Sequence, residues 1–179
     1  MYEIGYLDEN NSIKKYDYNG TTIYENIKPG SIQKQSYGSY YFLSNSNKLC
    51  YYNGSTVTEV AENVKTFYAT ASCFLNNSGK LYNLSKTDIL LKDENVKSLY
   101  SDGTYIYNNN RISLNLDGQN IILDLENVTD YLVEKNQILM SDGRRIYNNI
   151  EVSDSGENWY QDEDGEIYFY AYSVGGIIE

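Results

Sequence analysis

Glu94-Asn95-Val96-Lys97-Ser98-Leu99-Tyr100-Ser101-Asp102-Gly103-Thr104-Tyr105-Ile106-Tyr107 is the stretch from which the fold is read. Val96 to Tyr100 reads as a short strand, Ser101-Asp102-Gly103 as a turn, and Thr104 to Tyr107 as a second strand. Asn108-Asn109-Asn110 turns the chain again, and Arg111 to Leu116 alternates apolar and polar residues, the period of a half-buried strand. Asp117-Gly118 is a hairpin signal that needs positive φ, and Asn120 to Leu125 supplies a fourth strand. Four short strands fill the segment, with no room for a helix.

The Glu-Asn opener of this segment recurs. Glu25-Asn26-Ile27-Lys28, Glu62-Asn63-Val64-Lys65, Glu94-Asn95-Val96-Lys97 and Glu126-Asn127-Val128-Thr129 share it, and Glu157-Asn158-Trp159 is a weaker echo. Openers at 25, 62, 94, 126 and 157 give spacings of 37, 32, 32 and 31 residues. A near-constant period of this size marks an array of supersecondary units, each covering its neighbour's apolar face. The extra residues of the first unit fall around Pro29-Gly30.

Asn63-Val64-Lys65, the apolar run Cys73-Phe74-Leu75 and Asn77-Ser78-Gly79-Lys80-Leu81-Tyr82 together resemble regulator-of-chromosome-condensation-type propeller repeats, over roughly Glu25 to Tyr147. The resemblance implies a β-propeller and carries no functional residue with it. Tandem four-stranded units are the substance of that fold. The expectation is an all-β chain, a single β-propeller domain over residues 1–179 with five short four-stranded blades. Met1 to Tyr24 and the residues after Glu157 would share the fifth blade. An open β-solenoid or a sandwich is the alternative, and the run Glu166 to Tyr172 has no clear place in the scheme.

Composition agrees with an all-β reading. The chain has 21 Tyr and one Pro, and its mean hydropathy is −0.58. Apolar area must therefore come largely from amphipathic rings and β-branched residues, which favour strands. A net charge of −11 argues against a phosphate-binding surface, so nucleic acid is not an expected partner. No run approaches the roughly 20 apolar residues that span a bilayer, so membrane insertion is not expected. The start, Met1 to Tyr6, lacks signal-peptide character. That implies cytoplasmic synthesis, with release, if any, in a particle or virion.

The chain contains no His, which removes Ser-His-Asp, Cys-His and histidine metal chemistry. It has no Gly-rich phosphate loop, and no cofactor or metal is expected. Asp162-Glu163-Asp164-Gly165-Glu166 reads as an acidic hairpin turn in preference to a Ca²⁺ loop, since its spacing departs from the twelve-residue pattern. Cys50 and Cys73 read as buried, reduced thiols. Each opener Asn reads as a residue that pins the start of a blade.

These readings point away from an enzyme and toward a binding module. Turns rich in Asn, Asp and Ser would gather beside the openers on one rim. Asn45, Asn47, Asn76, Asn77, Asn109 and Asp142 are the candidate ligand-binding residues there, joined by Trp159 and Tyr160. Amide, carboxylate and aromatic groups suit a glycan or a protein receptor. The alternative is a structural or adaptor subunit of a phage-tail-like or other bacterial particle, with its other subunits as partners. Trp159 occupies the opener position held elsewhere by Val64, Val96 and Val128, so burial between blades is expected for it.

Overall fold

The computed structural model describes residues 5–15, 17–84, 89–116, 118–148, 150–156 and 159–169. Two compact units are present, Met1–Tyr105 and Ile106–Glu179. In the first, β1 (Gly5–Leu7), β2 (Ile13–Lys15) and β3 (Thr22–Tyr24) form a three-stranded sheet. The second sheet holds β4 (Gln33–Ser36), β5 (Ser39–Leu43), β6 (Leu49–Tyr52) and β7 (Val57–Ala61). The third holds β8 (Val64–Tyr68), β9 (Cys73–Asn76), β10 (Leu81–Asn83) and β11 (Leu91–Asp93). A fourth sheet has the order β12 (Val96–Leu99), β13 (Tyr105–Tyr107), β14 (Ile112–Leu116), β15 (Gln119–Ile122), and the division between units falls within β13. In the second unit, β16 (Val128–Leu132), β17 (Gln137–Met140), β18 (Arg145–Tyr147) and β19 (Ile150–Glu151) make the fifth sheet. The sixth is β20 (Asp154–Ser155), β21 (Trp159–Gln161) and β22 (Ile167–Phe169). The sheets are antiparallel meanders, and the all-β expectation holds.

One hairpin turn recurs in every sheet. It spans Asp8–Ser12, Ser44–Lys48, Asn76–Lys80, Tyr107–Arg111, Met140–Arg144 and Asp162–Glu166. In each, the fourth residue's N–H donates to the first residue's carbonyl, and the first residue's N–H donates to the fifth residue's carbonyl. The fourth residue is Asn11, Asn47, Gly79, Asn110, Gly143 or Gly165, all at positive φ. This is a type I turn closed by a left-handed residue, and Asn and Gly take that conformation at least cost.

The openers use the same conformation. Asn26, Asn63, Asn95 and Asn127 sit at φ of 56, 56, 61 and 63°. The residue after each donates its N–H to the left-handed residue of the preceding sheet's turn: Ile27 to Asn11 (3.0 Å), Val64 to Asn47 (2.9 Å), Val96 to Gly79 (2.9 Å) and Val128 to Asn110 (2.8 Å). The opener Asn thus reverses the chain so that one sheet is stitched to the turn before it. Its structural role rests on its backbone conformation.

In the first unit the second sheet is covered on both faces. Tyr41, Leu43, Leu49 and Tyr51 pack with Val64, Phe67 and Phe74 of the third sheet. The alternate residues Tyr40, Phe42, Cys50 and Tyr52 pack with Ile13 and Ile27 on the other side. Both faces are apolar, so β5 and β6 are buried throughout despite period-two geometry. Complete burial of a side chain such as Phe42 stabilises by roughly 1.5–3 kcal/mol. Gln33 adds a polar link, its Nε2 donating to the Phe67 carbonyl (3.0 Å) and its Oε1 accepting from Ala69 N–H (2.8 Å).

Two expectations are corrected. The described residues form six sheets instead of five, and the two ends make separate three-stranded sheets instead of one shared blade. The recurrent turn shows why. It joins the second and third strands of the four-stranded sheets, but the first and second strands of the first sheet and the second and third of the sixth. The N-terminal sheet therefore corresponds to strands two to four, and the C-terminal sheet to strands one to three. The unplaced run after Glu166 contains β22, the third strand of that last sheet; Tyr170 to Tyr172 lie outside the described residues.

Trp159 is not at an opener position either. Val152 and Ser155, both buried, repeat the spacing of Val64 with Phe67, Val96 with Leu99 and Val128 with Tyr131. The fourth strand of the fifth sheet, β19, is only two residues long, so the next sheet begins early and Trp159 falls on its second strand. Trp159 is half-buried, against the expectation of burial. Glu157 and Asn158 of the fifth echo lie outside the described residues.

Candidate binding rim

Three of the recurrent turns lie against the openers of their own sheets. Asn45 donates its backbone N–H to the Asn26 carbonyl (2.7 Å), Asn77 to Asn63 (2.9 Å) and Ser141 to Asn127 (2.9 Å). In these three turns it is the second residue that docks in this way. The backbone is held inward at Asn45, Asn77 and Ser141, and these residues, like Asn108 at the same turn position, are exposed.

The other turn positions are occupied with holding the turn together. Asn76 Oδ1 accepts from the N–H groups of Ser78 (3.0 Å) and Lys80 (2.9 Å) and from the Ser78 hydroxyl (2.9 Å). Where the first residue is Tyr107 or Met140, the third takes over: Asn109 Oδ1 accepts from Arg111 N–H (3.3 Å), and Asp142 Oδ1 from Arg144 N–H (3.1 Å). Asp142 Oδ2 also accepts from Arg144 Nε (2.8 Å), and that guanidinium holds the Asp142 carboxyl below the usual range. Asn47 is the left-handed residue of its turn, and its carbonyl carries Val64.

The candidate residues therefore separate by position. Asn45 and Asn77 present side chains outward, whereas Asn47, Asn76, Asn109 and Asp142 build the turns. Asn108 joins the outward set without having been a candidate on sequence grounds. Its signal is its place one residue after the strand end, and a run of three Asn hides which of them that is.

A depression of about 500 Å³ is lined by Tyr24, Glu25, Asn26, Ser44, Asn45 and Ser46, the first opener and its turn. The neighbouring Cys50 thiol, and then burial, push the Tyr24 hydroxyl up to about 12. Glu25, Asn26, Asn45 and Ser46 are the exposed polar residues of the depression.

Tyr160 stands apart from the turns. It stacks on Tyr168 (centroids 4.9 Å, planes 11° apart) and on Tyr147 (6.0 Å, 29°). Trp159 points to the other face of β21, where its register partner is Phe169. The acidic segment after them closes as a hairpin, with Asp162 Oδ1 accepting from Glu166 N–H (2.9 Å). Among the described residues no group of three Cys, Asp or Glu is placed to hold a metal ion. Cys50 and Cys73 are buried and unbonded to one another. Among the described residues no helix is long and apolar enough to cross a membrane.

No protein-family model and no curated protein matches the chain.

Proposed function

We propose that this chain is a non-enzymatic binding module whose sheets are the blades of a propeller of the regulator-of-chromosome-condensation type, and that its rim recognises a glycan. The observation that carries the reading is the second turn position. Asn45, Asn77, Asn108 and Ser141 repeat one geometry, with the backbone docked on an opener or in the same turn place and the side chain exposed. An exposed amide or hydroxyl that recurs at the same place in successive turns suits the hydroxyls of a sugar. A glycan array with the whole chain tests it. Binding that is lost in Asn45→Ala with Asn77→Ala, at unchanged urea midpoint, supports the reading, and an array with no hit sinks it.

The second reading, a structural or adaptor subunit of a bacterial particle, has an observation of its own. Leu90, Leu91, Ile121, Ile122 and Ile150, on or beside the fourth strands, are exposed aliphatics. Apolar side chains of this kind suit contacts with other proteins. Stoichiometric recovery with particle proteins, together with a blank array, would favour it over the lectin.

A further inference from the structure

From the unfinished sixth sheet we infer a peptide-docking edge: β22 accepts an extended, basic segment of a partner protein as a fourth strand. The second to fifth sheets each have four strands, whereas among the described residues the sixth has three, with β22 at its edge. A terminal strand offers a row of backbone N–H and C=O groups, the template for strand addition. Its side chains are apolar and open: Ile167 is 54% exposed and Phe169 76%. Period two puts both on one face of the sheet, beside Trp159 and Gln161, their register partners on β21. Tyr168 projects to the opposite face and stacks on Tyr160.

Charge decides what kind of segment fits. The turn leading into β22 carries Asp162, Glu163, Asp164 and Glu166, and residues 154–169 contain no Lys or Arg. Asp154 is already paired with Lys135 (2.6 Å). Another copy of this chain would bring the same acidic turn and the same net charge of −11, and like charges disfavour that pairing. A strand alternating apolar residues with Lys or Arg meets both requirements. Its apolar residues cover Ile167 and Phe169, and its cations face the carboxylates of the turn.

The chain carries its own reporter. Trp159 is its one tryptophan, and it pairs with Phe169, so a strand laid on β22 changes its surroundings. The probe is a synthetic octapeptide alternating Lys and Val, titrated into the whole protein while Trp159 emission is followed. The expected result is a saturable blue shift. A Glu-Val peptide binds more weakly by tenfold or more, and salt near 1 M, where the screening length is about 3 Å, weakens the Lys-Val peptide. Phe169→Lys abolishes the shift, and a backbone N-methylated Lys-Val peptide, unable to pair with a strand edge, fails to produce it. Asn77→Ala leaves it unchanged, which separates this edge from the rim. Equal responses to the Lys-Val and N-methylated peptides overturn the proposal. So does the absence of any shift, and so does a concentration-dependent dimer that Phe169→Lys dissolves, which would assign the edge to a second copy.

Discussion

The indole of Trp159 occupies the space that a β-carbon on Gly156 would need, and a methyl group there would collide with Nε1. The two residues are also joined through the backbone, Gly156 N–H donating to the Trp159 carbonyl (2.8 Å). Gly156 is not among the residues at positive φ, so its requirement is steric. Gly156→Ala should therefore displace the ring, red-shift Trp159 emission and lower stability by about 1–3 kcal/mol. The smaller ring of Trp159→Phe should recover much of that loss in the double variant, a coupling that a double-mutant cycle reads directly. Additive effects would show that the contact is not what fixes the indole.

Gln33 makes a second specific prediction. Its amide bonds one buried carbonyl and one buried N–H of the third sheet, at Phe67 and Ala69. Gln33→Leu leaves both unsatisfied and should cost about 2–6 kcal/mol, at about 1–3 kcal/mol for each orphaned group. Gln33→Glu is the subtler test. A carboxylate still accepts from Ala69 but repels the Phe67 carbonyl, whereas the protonated acid can donate to it. The folded-state pKa of the new Glu is thus raised above its unfolded value of about 4.3, so its stabilisation is whole below that pH and is lost as pH rises through the folded value. Urea midpoints across mildly acid pH should fall with rising pH in Gln33→Glu relative to the parent.

Much of the architecture is legible in the amino-acid sequence, because its signals are local. Gly118 of the hairpin signal and the opener Asn residues fix strand ends through positive φ, whereas the alternation of Ile112 to Leu116 marks a strand but not its faces, since Ser113 is buried and Leu116 exposed. At Glu157-Asn158-Trp159 the reading fails, because the same letters stand in a different part of the repeat. The buried pair Val152 and Ser155 marks the true first strand, but Ser at a core position carries no apolar signal, and β19 is too short to hold the period. The candidate site is legible only in part. Asn76 and Asn77 are identical in sequence terms, and one builds the turn while the other faces outward. That difference depends on which residue ends the strand, a fact of register.

The opener Asn residues separate a structural from a ligand role. Asn63 and Asn95 are in the left-handed region at φ of 56 and 61°. Glycine reaches that region freely, whereas a residue with a β-carbon is strained there by roughly 1–2 kcal/mol. Asn95→Gly should leave the urea midpoint close to the parent value, and Asn95→Ala should lower it. The rank order Gly above Ala is the diagnostic, since a side chain needed for ligand contact would be missed equally in both. Loss of binding in Asn95→Gly at full stability would make the opener a contact residue.

Cys73 links burial to alkaline stability. It is fully buried on β9, and that burial pushes its thiol up to about 11, well above the unfolded value of about 8.5. Cys50 is shifted in the same direction, again chiefly by burial. The fold keeps the neutral thiol, so a pKa raised on folding contributes stability that is whole below about 8.5 and is lost as pH rises toward about 11. The thiolate is also the reactive form, so neither cysteine should react with a thiol reagent in the native protein near neutral pH, and both should label as urea unfolds it. Other groups of the unfolded chain also ionise at alkaline pH, which makes the parent's own pH profile ambiguous. The difference between parent and Cys73→Ala is not: the variant is less stable near pH 7 through its lost packing, and its midpoint should decline less than the parent's between about pH 8.5 and about pH 11. Equal declines in the two proteins, or complete labelling of Cys73 without urea, would show that the thiol is not sealed within the third sheet.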